Sequence, residues 1–562
     1  MTTDIRASRD IAPGIFDRER IIAKAGFNRW HVPPAALCIH LCIGMAYGFS
    51  VFWKPLEGVL VGADGKALPS CSEGATTFSE KAAGTAKALF ATDCNWSQFD
   101  LGWMYTFFFV MLGVSAAIWG AWLERAGPRK AGTVAAICWC GGLLISALGI
   151  HLHQLWLLWI GSGIIGGIGL GLGYISPVST LIKWFPDRRG MATGMAIMGF
   201  GGGAMIGSPL ATLLMNQFKT PTDPGVAATF VALAAIYAVF MGLGASGYRL
   251  PPDGWKPEGW KPPTTSNAMI TSKHVHLKDA HKTPQFWLLW TVLCMNVSAC
   301  IGIIGAASPM LQETFGGMLA NAPTLGYLDV QKDPALLASA AAVGAGFVGL
   351  ISLFNIFGRF AWATSSDKLG RRLTYCIFFV LGGALYVLAS VAADWKAMAL
   401  FVAAICVIAS MYGGGFATIP AYLADIFGTQ HVGAIHGRLL TAWAAAGILG
   451  PVVVNYIREY QINHGVPPSQ AYNVTMYVLS GMLLLGLVCN LLVRPVDPKH
   501  YMSDEQLKQE RSAAHEAQGA GGDTTRFAGS HRGLVLVAWL AVGIPLAWGI
   551  WNTIVKALPL FR

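Results

Sequence analysis

Uncharged apolar runs of about 20 residues recur along this chain, the first starting near residue 33 and the last ending near residue 554. A hydrocarbon layer roughly 30 Å thick takes about 20 helical residues to cross, and no backbone polar group is left unpaired inside it. So many runs of that length leave one architecture, a bundle of membrane-spanning helices. Composition agrees: 54% of the 562 residues are hydrophobic and 12% are charged, where a soluble protein carries about 25% charge.

The apolar pattern predicts helices over residues 33–53, 98–122, 131–151, 154–182, 190–215 and 227–247. Six more follow over 285–309, 337–363, 372–392, 398–421, 437–458 and 471–493, and a thirteenth over 533–554. The polar residues 1–32 lack the apolar segment and cleavage site of a signal peptide. With that end in the cytoplasm, 28 of the 39 Lys and Arg fall on cytoplasmic segments and 10 on external ones. The positive-inside rule asks for this asymmetry. The net charge of +10 then reflects cytoplasmic loops, not a nucleic-acid surface.

The organisation that follows is a cytoplasmic segment 1–32, a six-helix unit 33–247, a cytoplasmic linker 248–284, a second six-helix unit 285–493, a cytoplasmic tail 494–532 and a further helix 533–554. The first unit carries a long external loop, 57–97, which holds Cys71 and Cys94. That side of the membrane permits a disulfide, and spacing alone leaves the pairing open.

One Arg belongs to neither loop class. Arg359 lies in the apolar part of "NIFGRFAWATSSDKLGRR" (355–372), eight residues before Asp367. At 1.5 Å per residue that is about 12 Å of depth. Asp100, Glu124, Glu313, Asp367 and Asp425 are all expected at helix ends or in loops, which leaves Arg359 without a carboxylate partner in the membrane. A charge at that depth costs at least roughly 2.5–3.5 kcal/mol and marks a functional site. Capping of backbone carbonyls is the structural alternative.

The chain also repeats. A shift of 243 residues brings Trp119 onto Trp362, Glu124 onto Asp367, Gly127 onto Gly370 and Arg129 onto Arg372. The same shift brings Pro177 onto Pro420, Gly190 onto Gly433, Gly194 onto Gly437 and Gly207 onto Gly450. An offset of six helices preserves orientation, so these are parallel repeats, as in transporters whose substrate lies between two halves. The counterpart of Arg359 is Ala116. The cation is therefore an asymmetric addition to a symmetric scaffold.

Two other patterns carry no chemistry. "GSGIIG" (161–166) matches a dinucleotide fingerprint, but it lies inside an apolar span with no preceding strand. Small residues there let helices approach closely. The histidines are scattered: His151 and His153 in an external loop, His274, His276 and His281 in the linker, and His40 alone within a span. No metal site, cofactor or nucleophile–base pair is expected, and an enzyme is the least favoured reading. His40 is a structural residue or a proton-coupling one.

The charged turns "GAWLERAGPRK" (120–130) and "ATSSDKLGRR" (363–372) resemble the loop motif of the major facilitator superfamily. The resemblance assigns a gating and topology role to Glu124, Arg125, Gly127 and Arg129, and to Asp367, Lys368, Gly370 and Arg372. "GMAYGFSVFWKPLE" (44–57), "GLGYISPVSTLIKWFPDRRGMATG" (171–194) and "YLADIFGTQHVGAIHGRLLTAWAAAGILGP" (422–451) are similar to one branch, the oxalate/formate antiporter group, which is related to monocarboxylate transporters. The resemblance spans 33–493. It implies an all-α fold of two six-helix repeats, here with an added thirteenth helix, and makes Arg359 the residue that binds the substrate carboxylate.

It also implies a second cation in the eleventh helix of oxalate carriers, and Trp443 stands there. Proton-coupled monocarboxylate carriers place an Asp one turn before the Arg and often a Lys in the first helix, where this chain has Asn355 and Tyr47. Asn355 shares the helix face of Arg359. Tyr47, Tyr174, Tyr412, Phe416 and Trp443 are the aromatic candidates around the anion. One cation suggests a small monocarboxylate such as formate, lactate or a related hydroxy- or keto-acid, moved by exchange or uniport through alternating access. Oxalate/formate exchange, proton symport and a sensor without transport stay open. The expected setting is a bacterial inner membrane, with a monomeric working unit.

Overall fold

The computed structural model describes residues 14, 18–24, 26–57, 59–60, 62, 68–75, 78–220, 223–252, 255–259, 269–516 and 532–561. Among them, 13 helices are long and apolar enough to cross a membrane. We number these spans α1 to α13. The first half holds α1 (Arg29–Phe49), α2 (Gln98–Ala126), α3 (Pro128–His151), α4 (Leu155–Trp184), α5 (Arg189–Phe218) and α6 (Val226–Gly247). The second holds α7 (Pro284–Leu319), α8 (Pro334–Leu369), α9 (Arg371–Asp394), α10 (Met398–Phe427), α11 (Val432–Ile462) and α12 (Pro468–Leu492). The last is α13 (Arg532–Ala557).

The repeat reappears in the backbone. Spans α3 and α9 both run 24 residues, and α4 and α10 both run 30, with each pair of limits 243 apart. The turns before α3 and α9 both rest on a glycine at positive φ, Gly127 at 84° and Gly370 at 86°. A Cβ would be strained there, so the glycines end one helix and aim the next.

Local chemistry sets the other ends. Ser97 and Asp100 form a capping box at the start of α2. Pro stands in the first turn of α3, α7 and α8, where its missing N–H costs nothing.

Several expected limits move. The first helix tightens into 3₁₀ geometry over Gly44–Phe52. The "GSGIIG" run is a π-helical stretch, Trp159–Gly166, whose Gly161 lies against the backbone of Gly142 in α3. Small residues thus permit close packing, as the sequence suggests. Span α7 extends to Leu319, which draws Glu313 into a helix, 5% exposed and paired with Arg458 of α11. The eleventh helix begins at Val432, five residues early, so His40 is not alone: His436 also lies in a span.

The two halves meet along two seams, α5 against α8 and α2 against α11. Glycines make the approach possible. A Cβ on Gly194 would stand 2.7 Å from the Arg359 carbonyl oxygen, and one on Gly437 would stand 2.3 Å from the Ala116 carbonyl oxygen. Residues 194 and 437, like 116 and 359, are repeat mates. In the first loop, Cys71 and Cys94 are disulfide-bonded. We call that side the disulfide face and the other the charged-turn face.

Helix α13 crosses the α5–α8 seam. Near its start, Trp539 donates to the Trp30 carbonyl over 3.2 Å and Val542 packs on Leu37 and Cys38 of α1. Midway, Leu546 lies beside Gly202 and Gly549 beside Met205 of α5; farther on, Thr553 lies beside Gly349 of α8. One end rests on the first half and the other on the second.

Candidate functional site

Arg359 is fully buried at the α5–α8 seam. Its Nε donates to Asn355 Oδ1 over 2.8 Å, one turn away, and its Nη1 donates to the Ile197 carbonyl over 3.2 Å. Among the described residues, Nη2 has no hydrogen-bond partner. Carbonyl capping therefore accounts for part of the guanidinium and leaves one of its nitrogens free to donate.

The walls are aromatic. The guanidinium carbon lies 5.5 Å from the ring centre of Phe416 and 5.7 Å from that of Phe200, in cation–π range. Trp443 packs on Phe416 at 4.2 Å, Tyr174 at 5.2 Å and Phe200 at 5.4 Å between centroids. The Tyr47 and Tyr412 hydroxyls, from opposite halves, bond to each other over 2.9 Å. Both the Tyr174 hydroxyl and Trp443 Nε1 are buried and without a partner among the described residues. Seven sequence candidates (Arg359, Asn355, Tyr47, Tyr174, Tyr412, Phe416 and Trp443) thus converge on one enclosure.

Two lining residues escaped sequence reasoning. Phe200 is the repeat mate of Trp443, so the 243-residue shift would have found it. Phe109, 5.6 Å from Trp443, lies in the run "FFFVM" and carries no distinguishing signal.

The enclosure thus combines one buried cation, further unpaired donors and aromatic walls. The profile of the Major Facilitator Superfamily matches residues 70–352 and 301–562. The chain belongs to that superfamily. The oxalate:formate antiporter of Oxalobacter formigenes is 29% identical over 51% of this chain and 59% of its own length. The chain thus matches little more than half of that relative. The apicoplast pyruvate carrier 1 of Toxoplasma gondii is 22% identical over 73% of this chain and 80% of its own length. Among solved structures, the human organic anion transporter MFSD10 superposes with a TM-score of 0.53 at 14% identity, covering 82% of this chain and all of that one. A superfamily transporter, FucP, in its outward conformation, superposes with a TM-score of 0.51 at 11% identity, covering 82% and 99%. These two structures show the fold alone.

The superfamily's charged turns form the latches near the charged-turn face. In the second half, Asp367 accepts from the backbone N–H groups of Gly190 and Met191, over 2.9 and 3.0 Å. Its carboxylate thus caps the first turn of α5 in the other half, where the helix dipole favours an anion. The cation that holds Asp367 is Arg371, at 2.6 Å, and Arg371 also reaches Asp425 at 3.2 Å. Arg189 of α5 reaches the same Asp425 across the seam, at 3.1 Å.

The sequence motif named different cations. Lys368 is exposed, and Arg372 is exposed and donates to the Leu491 carbonyl. In the first half Glu124 pairs with Lys183 at 2.6 Å and accepts from Ser179 over 2.9 Å. Arg125 is exposed, and Arg129 donates to the carbonyls of Ser246 and Tyr248. The acids of the motif lie where the halves meet, Asp367 on the start of α5 and Glu124 beside Gly433 of α11. The cations that pair with the motif's acids are Arg371 and Lys183.

Both ring nitrogens of His40 face backbone carbonyls, of Ala196 and Tyr174. The residue thereby ties α1 to α4 and α5. The histidines are less scattered than the sequence suggests: His276 and His431 flank Glu510, at 3.2 and 3.0 Å. His276 Nδ1 accepts the Lys278 backbone N–H over 3.1 Å, which leaves its proton on Nε2, toward the carboxylate. Burial and the neighbouring His431 hold its pKa below the ordinary value. The trio is a hydrogen-bonded clamp between linker, second half and tail.

Proposed function

We propose that this transporter carries small organic anions by alternating access, with Arg359 as the residue that holds the substrate carboxylate. One observation carries the reading: a wholly buried guanidinium keeps a nitrogen unpaired inside an aromatic cage between the halves. A guanidinium meets a carboxylate with parallel N–H bonds. Asn355 orients the guanidinium without competing for its charge. Tyr47 and Tyr412 close the cage and offer hydroxyls to the anion, and Tyr174, Phe416 and Trp443 fix its size. Relatives named for oxalate, formate and pyruvate all handle carboxylates.

The favoured substrates are monocarboxylates such as formate, lactate and related hydroxy- or keto-acids, because among the described residues no second fixed cation shares the cage. Exchange or uniport is the economical mode, since among the described residues no carboxyl group shares the cage to carry a proton. Units 33–247 and 285–493 rock about the site while the turns at Glu124 and Asp367 make and break their contacts. The protein works as a monomer in the inner membrane of a bacterium, N-terminus in the cytoplasm, which makes the charged-turn face cytoplasmic. It carries out no chemical conversion.

The test is counterflow in proteoliposomes with labelled formate, lactate and oxalate, with and without a pH gradient. Saturable exchange of at least one monocarboxylate supports the reading. Oxalate exchange that outpaces every monocarboxylate overturns the one-cation argument. Binding without counterflow identifies a sensor.

A further inference from the structure

The 243-residue offset shows where the two seams match and where they differ. Gly194 and Gly437 match, each against the backbone of the facing helix. Phe200 and Trp443 match as rings of the cage. Between these marks the seams diverge. On one side Thr193 of α5 donates its hydroxyl to the Ala417 carbonyl over 2.6 Å, which closes the contact. The repeat mate of Thr193 is His436, and the mate of Ala417 is Tyr174. On the second seam, then, an imidazole faces a phenol ring across the halves, with centroids 6.1 Å apart.

His436 is 1% exposed, and neither ring nitrogen has a hydrogen-bond partner among the described residues. The Tyr174 hydroxyl makes no close hydrogen bond among the described residues and stands beside Arg359, between the two groups. Burying such groups unpaired is costly, and a symmetric scaffold with a threonine at this position has no need to do so. Arg359 likewise keeps an unpaired nitrogen at a position where its repeat mate, Ala116, has none. His436 sits four residues inside the start of α11, whereas the Arg359 guanidinium bonds the carbonyl of Ile197, the repeat mate of Leu440, one turn farther from the charged-turn face. Trp443, two turns farther along α11, and the Tyr174 ring connect it to the cage.

We propose that His436 and the Tyr174 hydroxyl form a second carboxylate subsite between α4 and α11, beside the α2–α11 seam and about one helical turn from the Arg359 guanidinium toward the charged-turn face. Its ligand is a carboxylate group, either that of a monocarboxylate leaving Arg359 as the seam parts or the far end of a short dicarboxylate. An imidazole N–H and a phenol O–H are both donors suited to it. The inference rests on the carboxylate reading of Arg359.

The experiment compares wild type, His436→Ala, His436→Gln, Tyr174→Phe and Arg359→Ala in proteoliposomes. Probes are labelled formate, lactate and oxalate, and each variant is checked by equilibrium binding and thermal unfolding. The proposal expects His436→Ala to slow counterflow at least tenfold with monocarboxylate Kd within threefold, and His436→Gln, which keeps an N–H donor, to recover part of the rate. A loss confined to oxalate supports the subsite and assigns it to the second carboxylate of one ligand. A loss confined to formate and lactate assigns it to the exit path. Unchanged rates for all probes in His436→Ala overturn the proposal. So does an equal loss in His436→Ala and His436→Gln that tracks a lowered unfolding temperature, since that marks packing alone. If Arg359→Ala still exchanges every probe, the carboxylate reading itself has failed, whatever the His436 variants do.

Discussion

Arg359 Nε donates to Asn355 Oδ1 over 2.8 Å, and both side chains are buried. The carboxamide fixes the guanidinium plane while leaving its charge uncompensated. Asn355→Asp would put a carboxylate in the same place and neutralise the cation from within. The expected outcome is a monocarboxylate Kd raised at least tenfold, with fold and expression intact. Binding as tight as wild type in the Asp variant would mean that the substrate does not use this charge.

The glycines at the two seams set how closely the halves meet. A Cβ on Gly194 would stand 2.7 Å from the Arg359 carbonyl oxygen, and one on Gly437 would stand 2.3 Å from that of Ala116. Overpacking of this kind costs about 1–3 kcal/mol, here charged only to a conformation in which these seams are in contact. Gly194→Val and Gly437→Val should each raise thiol labelling of a cysteine placed at Ala116, read from that face in a background without other reactive thiols. Unaltered labelling would show that these contacts do not separate during transport.

Asp367 joins the halves through two backbone N–H groups of α5, and within its own half it pairs with Arg371. Asp367→Asn weakens those charge-assisted bonds and leaves Arg371 with Asp425. A double-mutant cycle with Arg371→Gln should give a coupling of about 1–2 kcal/mol, short of a fully buried pair because the Asp367 side chain is 20% exposed. Pairing Asp367→Asn with Arg372→Gln should give no coupling, since Arg372 makes its bond to the Leu491 carbonyl. Coupling to Arg372 in place of Arg371 would refute the assignment.

The Cys71–Cys94 disulfide spans 23 residues of sequence. A loop of that length implies about 3 kcal/mol of stabilisation by chain entropy. Reduction, or Cys71→Ser, should lower the unfolding temperature by a few degrees and leave the exchange rate nearly unchanged, because the loop lies far from Arg359. A lost exchange rate at unchanged stability would place the loop in the transport path.

Much of this was legible in the sequence for a physical reason: a membrane forces apolar runs of fixed length, and a duplicated unit repeats its glycines. Gly127 and Gly370 announced the same backbone turn, and Ala116 opposite Arg359 announced the asymmetry. Helix ends were less legible where polar residues are buried. Glu313 reads as a loop residue until Arg458 pairs with it, and His436 reads as a loop residue until α11 is seen to start at Val432. The latch cations were missed because spacing places Arg371 and Arg372 side by side and cannot say which one turns toward the seam. Lys183, Arg189 and Asp425 belong to segments far from the motif and meet it only in three dimensions.

Counterflow of a labelled monocarboxylate by Arg359→Ala and Arg359→Lys measures the role of Arg359 most directly. Folded, reconstituted Arg359→Ala should show no exchange above empty liposomes. Arg359→Lys should keep at most about a tenth of the wild-type rate, since an ammonium lacks the planar pair of donors. Exchange at the wild-type rate by folded Arg359→Ala would contradict the account.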